Sequence, residues 1–211
     1  MSIPILLPNS AGLRRAADVI RQGGLIAYPT ETVYGLGVDP FNAEALDRLF
    51  AVKGRDTDRS VILLIRGDDD LGRLTSPLAP QAERISRALM DAFWPGPITL
   101  IFPAADLPSA LSSSKNTIAL RQTGSLLASK LLAELKGPIT STSANRSGDP
   151  PARSAGDVAA TFSHDLDLIL DGGPLTDTAP STVIDITTDR PTILRNGPIS
   201  PDDIQNVIQQ A

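Results

Sequence analysis

The sequence predicts a layered α/β or α+β fold, and three observations lead to that prediction. Short β-rich runs alternate with longer helical patterns from one end of the chain to the other. With 211 residues, 41% of them apolar, the chain can bury a core within one domain, or within one large domain plus a lobe. Almost all of the 18 prolines stand between the expected helices and strands, where they mark the ends of these elements and do not form a linker. We therefore expect one domain over residues 1–211.

The first half of the chain alternates helices and strands. A helical apolar face ends at Gly23-Gly24, and Asn42 is placed to cap the next helix. An uninterrupted apolar run then predicts a strand that is buried on both faces. The expected elements are the helices Gly12–Arg21, a helix from Asn42 to Val52 and Leu78–Phe93, and the strands Leu25–Tyr28 and Val61–Ile65.

The second half begins after Trp94-Pro95-Gly96-Pro97, which cannot continue a helix. A polar loop over Ser143–Pro151 divides it, and strands predominate on both sides. The expected strands are Ile98–Phe102, Thr117–Arg121, Pro138–Thr142, Leu166–Leu170, Thr182–Ile186 and Thr192–Arg195, and the expected helices are Ser125–Leu135, Ser154–Phe162 and Pro201–Gln210.

Composition excludes several classes of function. The formal net charge of −5 argues against a general nucleic-acid coat or a protein that binds anionic membranes. Without cysteine and with His164 as the single histidine, the chain has no disulfide framework, thiolate nucleophile or Cys/His zinc site. Residues Met1–Pro8 lack the features of a secretory signal, and no apolar run is long enough to span a membrane. We therefore expect a soluble cytoplasmic protein.

The common nucleotide and hydrolase motifs are missing. The chain contains no G-x-x-x-x-G-K-[ST], and Pro40 stands where a third glycine would follow Gly35 and Gly37 in a dinucleotide fingerprint. A Ser-His-Asp triad would have to recruit His164, which we expect in an exposed loop.

Two polar segments follow early elements. The first expected strand is followed by Pro29-Thr30-Glu31-Thr32-Val33-Tyr34-Gly35-Leu36-Gly37. This segment could approach a ligand or could be an ordinary turn. Lys53, Arg55 and Arg59 form the one dense basic spot of the chain. Instead of binding an anion, these cations could compensate a helix C-terminus and pair with Asp56 and Asp58.

Further polar residues stand at the ends of later strands. Thr117 and Arg121 share parity, so both side chains leave the same face of one strand. The run Thr140–Asn145 offers hydroxyls and an amide to phosphate or carboxylate oxygens, unless it only caps a loop. Ser181 opens a late strand, and Arg195 ends the next, where a lone arginine is usually a solvated rim residue.

In this order, PTETVYGLG, KGR, TSTSANRSG, PSTVID and ILRNG resemble the YrdC-like family of threonylcarbamoyl-AMP synthases, over about Gly23 to Ile199. The resemblance implies a three-layer α+β fold with one twisted, mixed parallel and antiparallel sheet of about seven strands, flanked by helices. It also implies a concave, positively charged cavity. Because only Pro198–Ala211 follows the last motif, we expect the short, single-domain form.

The resemblance implies an L-threonylcarbamoyladenylate synthase, a nucleotidyltransferase. Such an enzyme condenses L-threonine, bicarbonate and ATP, with Mg²⁺ carried by ATP and no dedicated protein metal site. A separate threonylcarbamoyl transferase complex then modifies tRNA at position 37, and contact of this chain with that complex or with tRNA would be indirect or weak. No membrane partner is expected.

The resemblance also assigns roles to residues. Lys53 and Arg55 would be catalytic, with Lys53 facing bicarbonate or phosphate. Threonine would contact Thr32, Arg121, Ser141 and Ser181. The nucleotide would contact Arg55, Arg59, Thr117, Ser143, Asn145, Pro151 and Arg195.

The chain departs from the family pattern at Asp56 and Ser60, at Leu64, where the family often has histidine, and over Gln122–Leu126. The alternatives are a non-synthase paralogue of the same fold that binds nucleotide, and an RNA-binding protein. Lys53, Arg55 and Asn145 favour the synthase over the paralogue, and the net charge of −5 speaks against RNA.

Overall fold

Two mixed β-sheets form the framework of the computed structural model, which describes residues 3–54, 61–108, 111–176 and 179–211. The first sheet has the strand order β1-β9-β2-β3-β8 and the second has the order β11-β10-β5-β6-β4-β7. The strands are β1 (Ile5–Leu6), β2 (Ile26–Pro29), β3 (Tyr34–Gly37), β4 (Ile62–Ile65), β5 (Ile98–Pro103), β6 (Thr117–Gln122), β7 (Ile139–Thr140), β8 (Thr142–Ser143), β9 (Leu168–Leu170), β10 (Thr182–Asp185) and β11 (Thr192–Arg195).

Helices cover the sheets, and most begin at a side-chain cap. The side chains of Asn9, Asn42, Ser125, Ser154 and Ser200 each accept a backbone N–H of the helix that follows. The helices are α1 (Ser10–Arg21), α2 (Ala43–Lys53), α3 (Asp68–Leu74), α4 (Pro80–Phe93), α5 (Leu126–Leu135), α6 (Ala155–Phe162) and α7 (Pro201–Gln210). The mixed sheets and the layered α+β class are thus confirmed, as are all the helices expected from the sequence.

The expectation of one sheet of about seven strands is wrong, because the strands divide between two sheets. The stretch predicted as a single strand, Pro138–Thr142, is the place where the chain crosses from one sheet to the other. β7 pairs with β4 of the second sheet, whereas β8 pairs with β3 of the first. Ser141 lies between them, and its backbone N–H donates to the Ile62 carbonyl. Periodicity cannot reveal such a crossing, since both short strands are apolar or hydroxylated.

The sequence-based prediction also missed β1, β3 and α3. β3 carries two glycines and was interpreted as a loop, but its glycines allow close packing inside a sheet. A Cβ on Gly37 would lie 2.6 Å from Ile139 Cδ1 and 2.7 Å from Tyr28 Cε1. The Asp68-Asp69-Asp70 run, where no helix is expected from the sequence, forms the first turn of α3, and its carboxylates complement the helix dipole.

Two apolar clusters hold the layers together. The larger one joins the second sheet to α2, α4 and α6, with Leu63, Leu100 and Leu120 fully buried. The smaller one packs α1 and α5 on the first sheet and includes Leu64 and Ile139 of the second sheet. Leu64 is fully buried in this cluster, so it presents no polar group to the site described below. Within the described residues, no helix is long and apolar enough to cross a membrane.

Candidate active site

A cavity of about 330 Å³ lies against the second sheet and takes side chains from both sheets. Its floor is one row of small and aliphatic side chains across three strands. Ile62 and Ile101 are the Cα partners of Ala119 on either side of β6. Because side chains alternate along a strand, Leu63, Leu100 and Leu120 point to the opposite face and enter the core. The floor is therefore apolar, and polar groups come from the ends of strands and from loops.

Lys53, the last residue of α2, is 4% exposed and lines the cavity. Its ammonium group donates to Asn145 Oδ1 at 2.6 Å, to the Asn145 carbonyl at 2.9 Å and to Ser143 Oγ at 3.2 Å. It also donates to the Ser143 carbonyl. A buried charge needs such partners, because it has lost its hydration shell. The positive charge is thus fixed at the end of β8, beside the loop that follows.

Asn145 organises that loop. Its Nδ2 group donates to the carbonyls of Asp149 at 2.6 Å and Arg146 at 3.0 Å, while its Oδ1 atom accepts from Lys53 and from Ser143 Oγ. All of the amide's polar atoms are therefore engaged within the protein. The segment Thr140–Asn145 therefore does more than cap a loop. Its residues Ser143 and Asn145 hold Lys53 in place and form one wall of the cavity.

Arg121, at the end of β6, is also 4% exposed. Its Nε donates to the Gly96 carbonyl at 3.1 Å, and its Nη1 donates to Thr32 Oγ1 at 3.1 Å. Nη2 lies 2.5 Å from Glu31 Oε1, but the angle makes this contact an ion pair without a hydrogen bond. A substrate carboxylate could therefore use Nη2 only by displacing Glu31, which leaves it the Nη1 edge beside Thr32, a residue that also lines the cavity.

Glu31 is a functional candidate that the sequence-based prediction did not include. Besides Arg121, its oxygens accept Thr123 Oγ1 at 2.6 Å and the Gly124 N–H at 2.8 Å. Burial alone would raise the pKa of Glu31, but the Arg121 charge and these hydrogen bonds outweigh it and hold the pKa below its ordinary value. The available signal was its position inside PTETVYGLG, next to Thr32.

The Thr30–Val33 turn presents Thr32 to the cavity. Thr30 Oγ1 lies 2.9 Å from Thr32 Oγ1 and donates to the Val33 carbonyl at 2.7 Å. Thr30 and Thr32 are each 3% exposed. Beside them Tyr28 donates to the Thr140 carbonyl at 2.9 Å, and burial raises the pKa of its hydroxyl well above the ordinary value. This phenol is therefore neutral and structural at physiological pH.

Ser181 and Arg195 form the opposite wall. Arg195 Nε donates to the Ser181 carbonyl at 2.9 Å, and its Nη2 donates to Ser181 Oγ at 3.1 Å. The same hydroxyl lies 2.8 Å from Thr99 Oγ1. The pairing of β10 with β11 brings these two wall residues together, although they are 14 residues apart in the chain. Arg195 is exposed, as expected of a rim residue, but these two hydrogen bonds hold its guanidinium group against Ser181 at the cavity wall.

The structure gathers most of the residues predicted for the site around this cavity. Those that line it are Thr32, Lys53, Arg121, Ser141, Ser143, Asn145, Ser181 and Arg195. Thr117 and Pro151 do not line it: Thr117 lies at the other end of β6 from Arg121, with its hydroxyl 2.7 Å from Ser113 Oγ. Arg55, Arg59, Asp56 and Ser60 lie outside the described residues. His164 is exposed after α6 and is no part of the cavity.

The charged side chains that line the cavity, in the described part of the chain, are all cationic: Lys53, Arg121 and Arg195. Over the same residues no group of three His, Cys, Asp or Glu side chains could hold a metal ion. With its many hydroxyls, the cavity can bind phosphate and carboxylate oxygens by charge and by hydrogen bonds.

Known proteins share both sequence and fold with this chain. The family model Sua5_yciO_yrdC, described as "Telomere recombination", matches residues 18–197. A threonylcarbamoyl-AMP synthase of Pyrococcus abyssi is 38% identical over 93% of this chain and 57% of its own length. Another, of Halorhodospira halophila, is 42% identical over 76% of this chain and 82% of its own.

A solved structure titled "Crystal structure of P. abyssi Sua5 complexed with L-threonine" superposes with a TM-score of 0.88 at 36% identity, covering 98% of this chain and 60% of that one. The chain thus spans less than two thirds of the length of that archaeal protein. The family model nevertheless covers most of the residues of this chain, including every described residue that lines the cavity. The chain belongs to the Sua5/YciO/YrdC family.

Proposed function

We propose that this chain is an L-threonylcarbamoyladenylate synthase, which condenses L-threonine, bicarbonate and ATP to threonylcarbamoyl-AMP and pyrophosphate. The observation that carries the proposal is the convergence of Lys53, Arg121 and Arg195 on one hydroxyl-rich cavity. The names of the similar proteins, threonylcarbamoyl-AMP synthases, support it.

The charges of the reactants explain why this cavity suits the reaction. ATP carries a charge of about −4, and bicarbonate and the threonine carboxylate add further negative charge. Unit charges about 4 Å apart repel each other by about 4 kcal/mol near a protein surface. Fixed cations offset this repulsion, and Lys53 and Arg195 are fixed by hydrogen bonds to backbone carbonyls.

The chemistry needs no protein nucleophile. The threonine nitrogen attacks the carbon of bicarbonate, or of the carbon dioxide derived from it, and water is lost to give a carbamate. A carbamate oxygen then attacks the α-phosphorus of ATP in line, and the bond to the bridging oxygen breaks as pyrophosphate leaves. The protein contributes positioning and electrostatic stabilisation of the negative charge that spreads over the phosphate oxygens.

The walls of the cavity divide between the substrates. Threonine lies against Thr32, Ser141 and the Nη1 edge of Arg121, with Ser181 at its far side. The nucleotide follows the wall formed by Ser143, Asn145 and Arg195, and Lys53 faces the point where bicarbonate meets the α-phosphate. Arg55 and Arg59 keep their proposed contacts with nucleotide, and Arg55 its catalytic role, whereas Thr117 and Pro151 do not line the cavity and are left out of the nucleotide contacts.

Mg²⁺ would enter with ATP, since the lining side chains in the described ranges offer hydroxyls and cations and no carboxylate cluster. The metal would neutralise the departing pyrophosphate. The product would pass to a separate transferase complex acting on tRNA in the cytoplasm, and contact of this chain with tRNA would be indirect or weak.

The test is pyrophosphate release by the purified chain with Mg-ATP, L-threonine and bicarbonate. We expect release to require both co-substrates and L-serine to be a poorer substrate than L-threonine, because only threonine adds a methyl group beside the hydroxyl. Release without dependence on either co-substrate would contradict the proposal. ATP binding without turnover would instead identify a non-synthase paralogue, and a salt-dependent RNA shift without substrates would identify an RNA-binding protein.

A further inference from the structure

We propose that Glu31 is a positioning residue for the threonine carboxylate: it fixes the Arg121 guanidinium in the orientation that presents its Nη1 edge and Thr32 to the cavity. This inference rests on the proposed function, since it assumes that threonine is the ligand. It assigns a role to a carboxylate that itself does not line the cavity.

The contacts of the Arg121 guanidinium group determine its orientation. Arg121 is held on three sides: Nε contacts the Gly96 carbonyl at 3.1 Å, Nη1 contacts Thr32 Oγ1 at 3.1 Å, and Nη2 contacts Glu31 at 2.5 Å. Because the group is planar and rigid, contacts along three directions fix both its plane and its rotation. Glu31 supplies the only charged contact of the three that the described residues show.

Glu31 is itself fixed from the opposite side. Its two oxygens accept from Thr123 Oγ1 at 2.6 Å and from the Gly124 N–H at 2.8 Å, in the loop between β6 and α5. Both of these donors follow Arg121 in the same chain segment. The carboxylate therefore links the turn that carries Thr32 to the loop that follows the arginine, and neither can shift without the other.

Glu31 positions Arg121 and does not compete with the substrate for it. A carboxylate that merely occupied the place of the substrate would be easy to displace, but Glu31 has a partner on each oxygen and is largely buried, with a side chain 21% exposed. Nη2 is buried beneath it. The ligand can therefore contact only the Nη1 edge of Arg121 and the Thr32 hydroxyl. Glu31 maintains the orientation of these two groups relative to each other.

The experiment measures L-threonine binding to the full chain by calorimetry and, separately, KM and kcat for pyrophosphate release. We expect Glu31→Gln to raise the Kd and the KM for threonine about tenfold or more, as for a misplaced binding group, with the KM for ATP unchanged. Thr123→Val, which removes one donor to Glu31, should raise the same two constants by a smaller factor. Asp167→Asn serves as the matched control, because Asp167 pairs with Arg48 away from the cavity.

Each result of these measurements either supports or contradicts the role proposed for Glu31. Unchanged threonine constants in Glu31→Gln would overturn the inference, and a lower Kd would show that Glu31 competes with substrate instead. If Glu31→Gln does not fold, Thr123→Val decides alone, and wild-type constants in that variant overturn the inference. If the wild-type chain binds no threonine, the proposed function itself fails, and the role of Glu31 fails with it.

Discussion

The Lys53 ammonium group donates to two oxygens of Asn145, the side-chain Oδ1 at 2.6 Å and the backbone carbonyl at 2.9 Å. Lys53 ends α2 and Asn145 follows β8, so this contact joins the C-terminus of a helix to the loop that closes the cavity. The lysine is thus both part of the wall and a source of positive charge. Its removal should affect stability and catalysis in distinguishable ways.

The first prediction concerns Lys53→Met. Methionine keeps much of the side chain's apolar length but leaves the carbonyls of Ser143 and Asn145 without this donor, which should lower the free energy of unfolding by about 1 to 3 kcal/mol. Pyrophosphate release should fall at least about 100-fold, because a fixed charge at the reacting groups is lost. Urea unfolding and a pyrophosphate assay measure the two effects. Near-normal turnover would refute the catalytic assignment.

Lys130→Met is the matched control for that experiment. Lys130 is exposed on α5 and lines no part of the cavity. We expect its unfolding free energy to stay within about 0.5 kcal/mol of the wild type and its turnover to be unchanged. A comparable loss of turnover in both variants would show that it comes from the changed net charge of the protein and not from the position of Lys53.

The second prediction concerns Gly197, which packs against the start of β10. A Cβ at this position would lie 2.4 Å from the Thr182 nitrogen, 2.5 Å from the Pro180 oxygen and 2.6 Å from the Ser181 carbon. These are backbone atoms and cannot move aside. Gly197→Ala should therefore destabilise the protein by about 3 kcal/mol and weaken ATP binding through the adjacent Ser181–Arg195 wall.

Gly137→Ala provides the comparison, since a Cβ there meets nothing within 4 Å. Its unfolding free energy should stay within about 0.5 kcal/mol of the wild-type value. Thermal unfolding and ATP titration of both variants test the pair. Equal stability of the two would contradict the steric argument.

The sequence predicted the elements with strong periodicity and failed where packing overrides local signals. The helices that end in glycine or begin at Asn42 and Ser125 were predictable from their caps and apolar faces. β3 was not, because its two glycines are typical of a turn, and the reason for Gly37 is the close approach of Tyr28 and Ile139 in the folded chain. The division into two sheets depends on the crossing at Ser141, a long-range feature that no local pattern encodes.

The residues of the site, like the elements of the fold, could be predicted only where a local signal in the sequence indicates them. Most of the residues predicted at strand ends line one cavity, because the ends of neighbouring strands meet in space. Parity placed Thr117 on the same face as Arg121 but did not indicate how far the cavity extends along that face. The pairing of Glu31 with Arg121 was out of reach, because it joins residues 90 positions apart and neither has an ionic partner nearby in the sequence.

The third prediction concerns Asp70, whose side chain is fully buried between Arg66 and Arg73. Burial alone would raise the pKa of Asp70, but hydrogen bonds from both arginines and from the Arg66 N–H lower it instead. Asp70→Asn should cost about 1 to 3 kcal/mol of stability, because both arginines are partly solvated and keep some hydration. Turnover per folded molecule should be unchanged, since α3 does not contribute to the cavity. A variant with wild-type stability and impaired turnover would contradict both statements.

The fourth prediction is a pH dependence of stability that comes from Glu31. Its folded-state pKa lies below the ordinary value of 4.5, so the ion pair with Arg121 contributes its full stability above about pH 4.5 and loses it as the pH falls through the lowered pKa. Glu31→Gln keeps the shape of the side chain but not its charge. At pH 7 it should be about 2 to 4 kcal/mol less stable than the wild type, because it leaves Arg121 buried without its counter-ion.

Below pH 4.5 that difference should shrink towards zero, since protonation makes the wild-type side chain as neutral as the variant's. Urea unfolding of both proteins at pH 7, 5, 4 and 3 measures the difference at each pH. Glu83→Gln serves as the control, because the Glu83–Arg87 pair is exposed at 47% and 51% and should show less than about 1 kcal/mol at any pH. A difference for Glu31→Gln that stays constant from pH 7 to pH 3 would mean that the charge of Glu31 does not stabilise the fold, and the account of Arg121 as a buried, charge-compensated group would have to be given up.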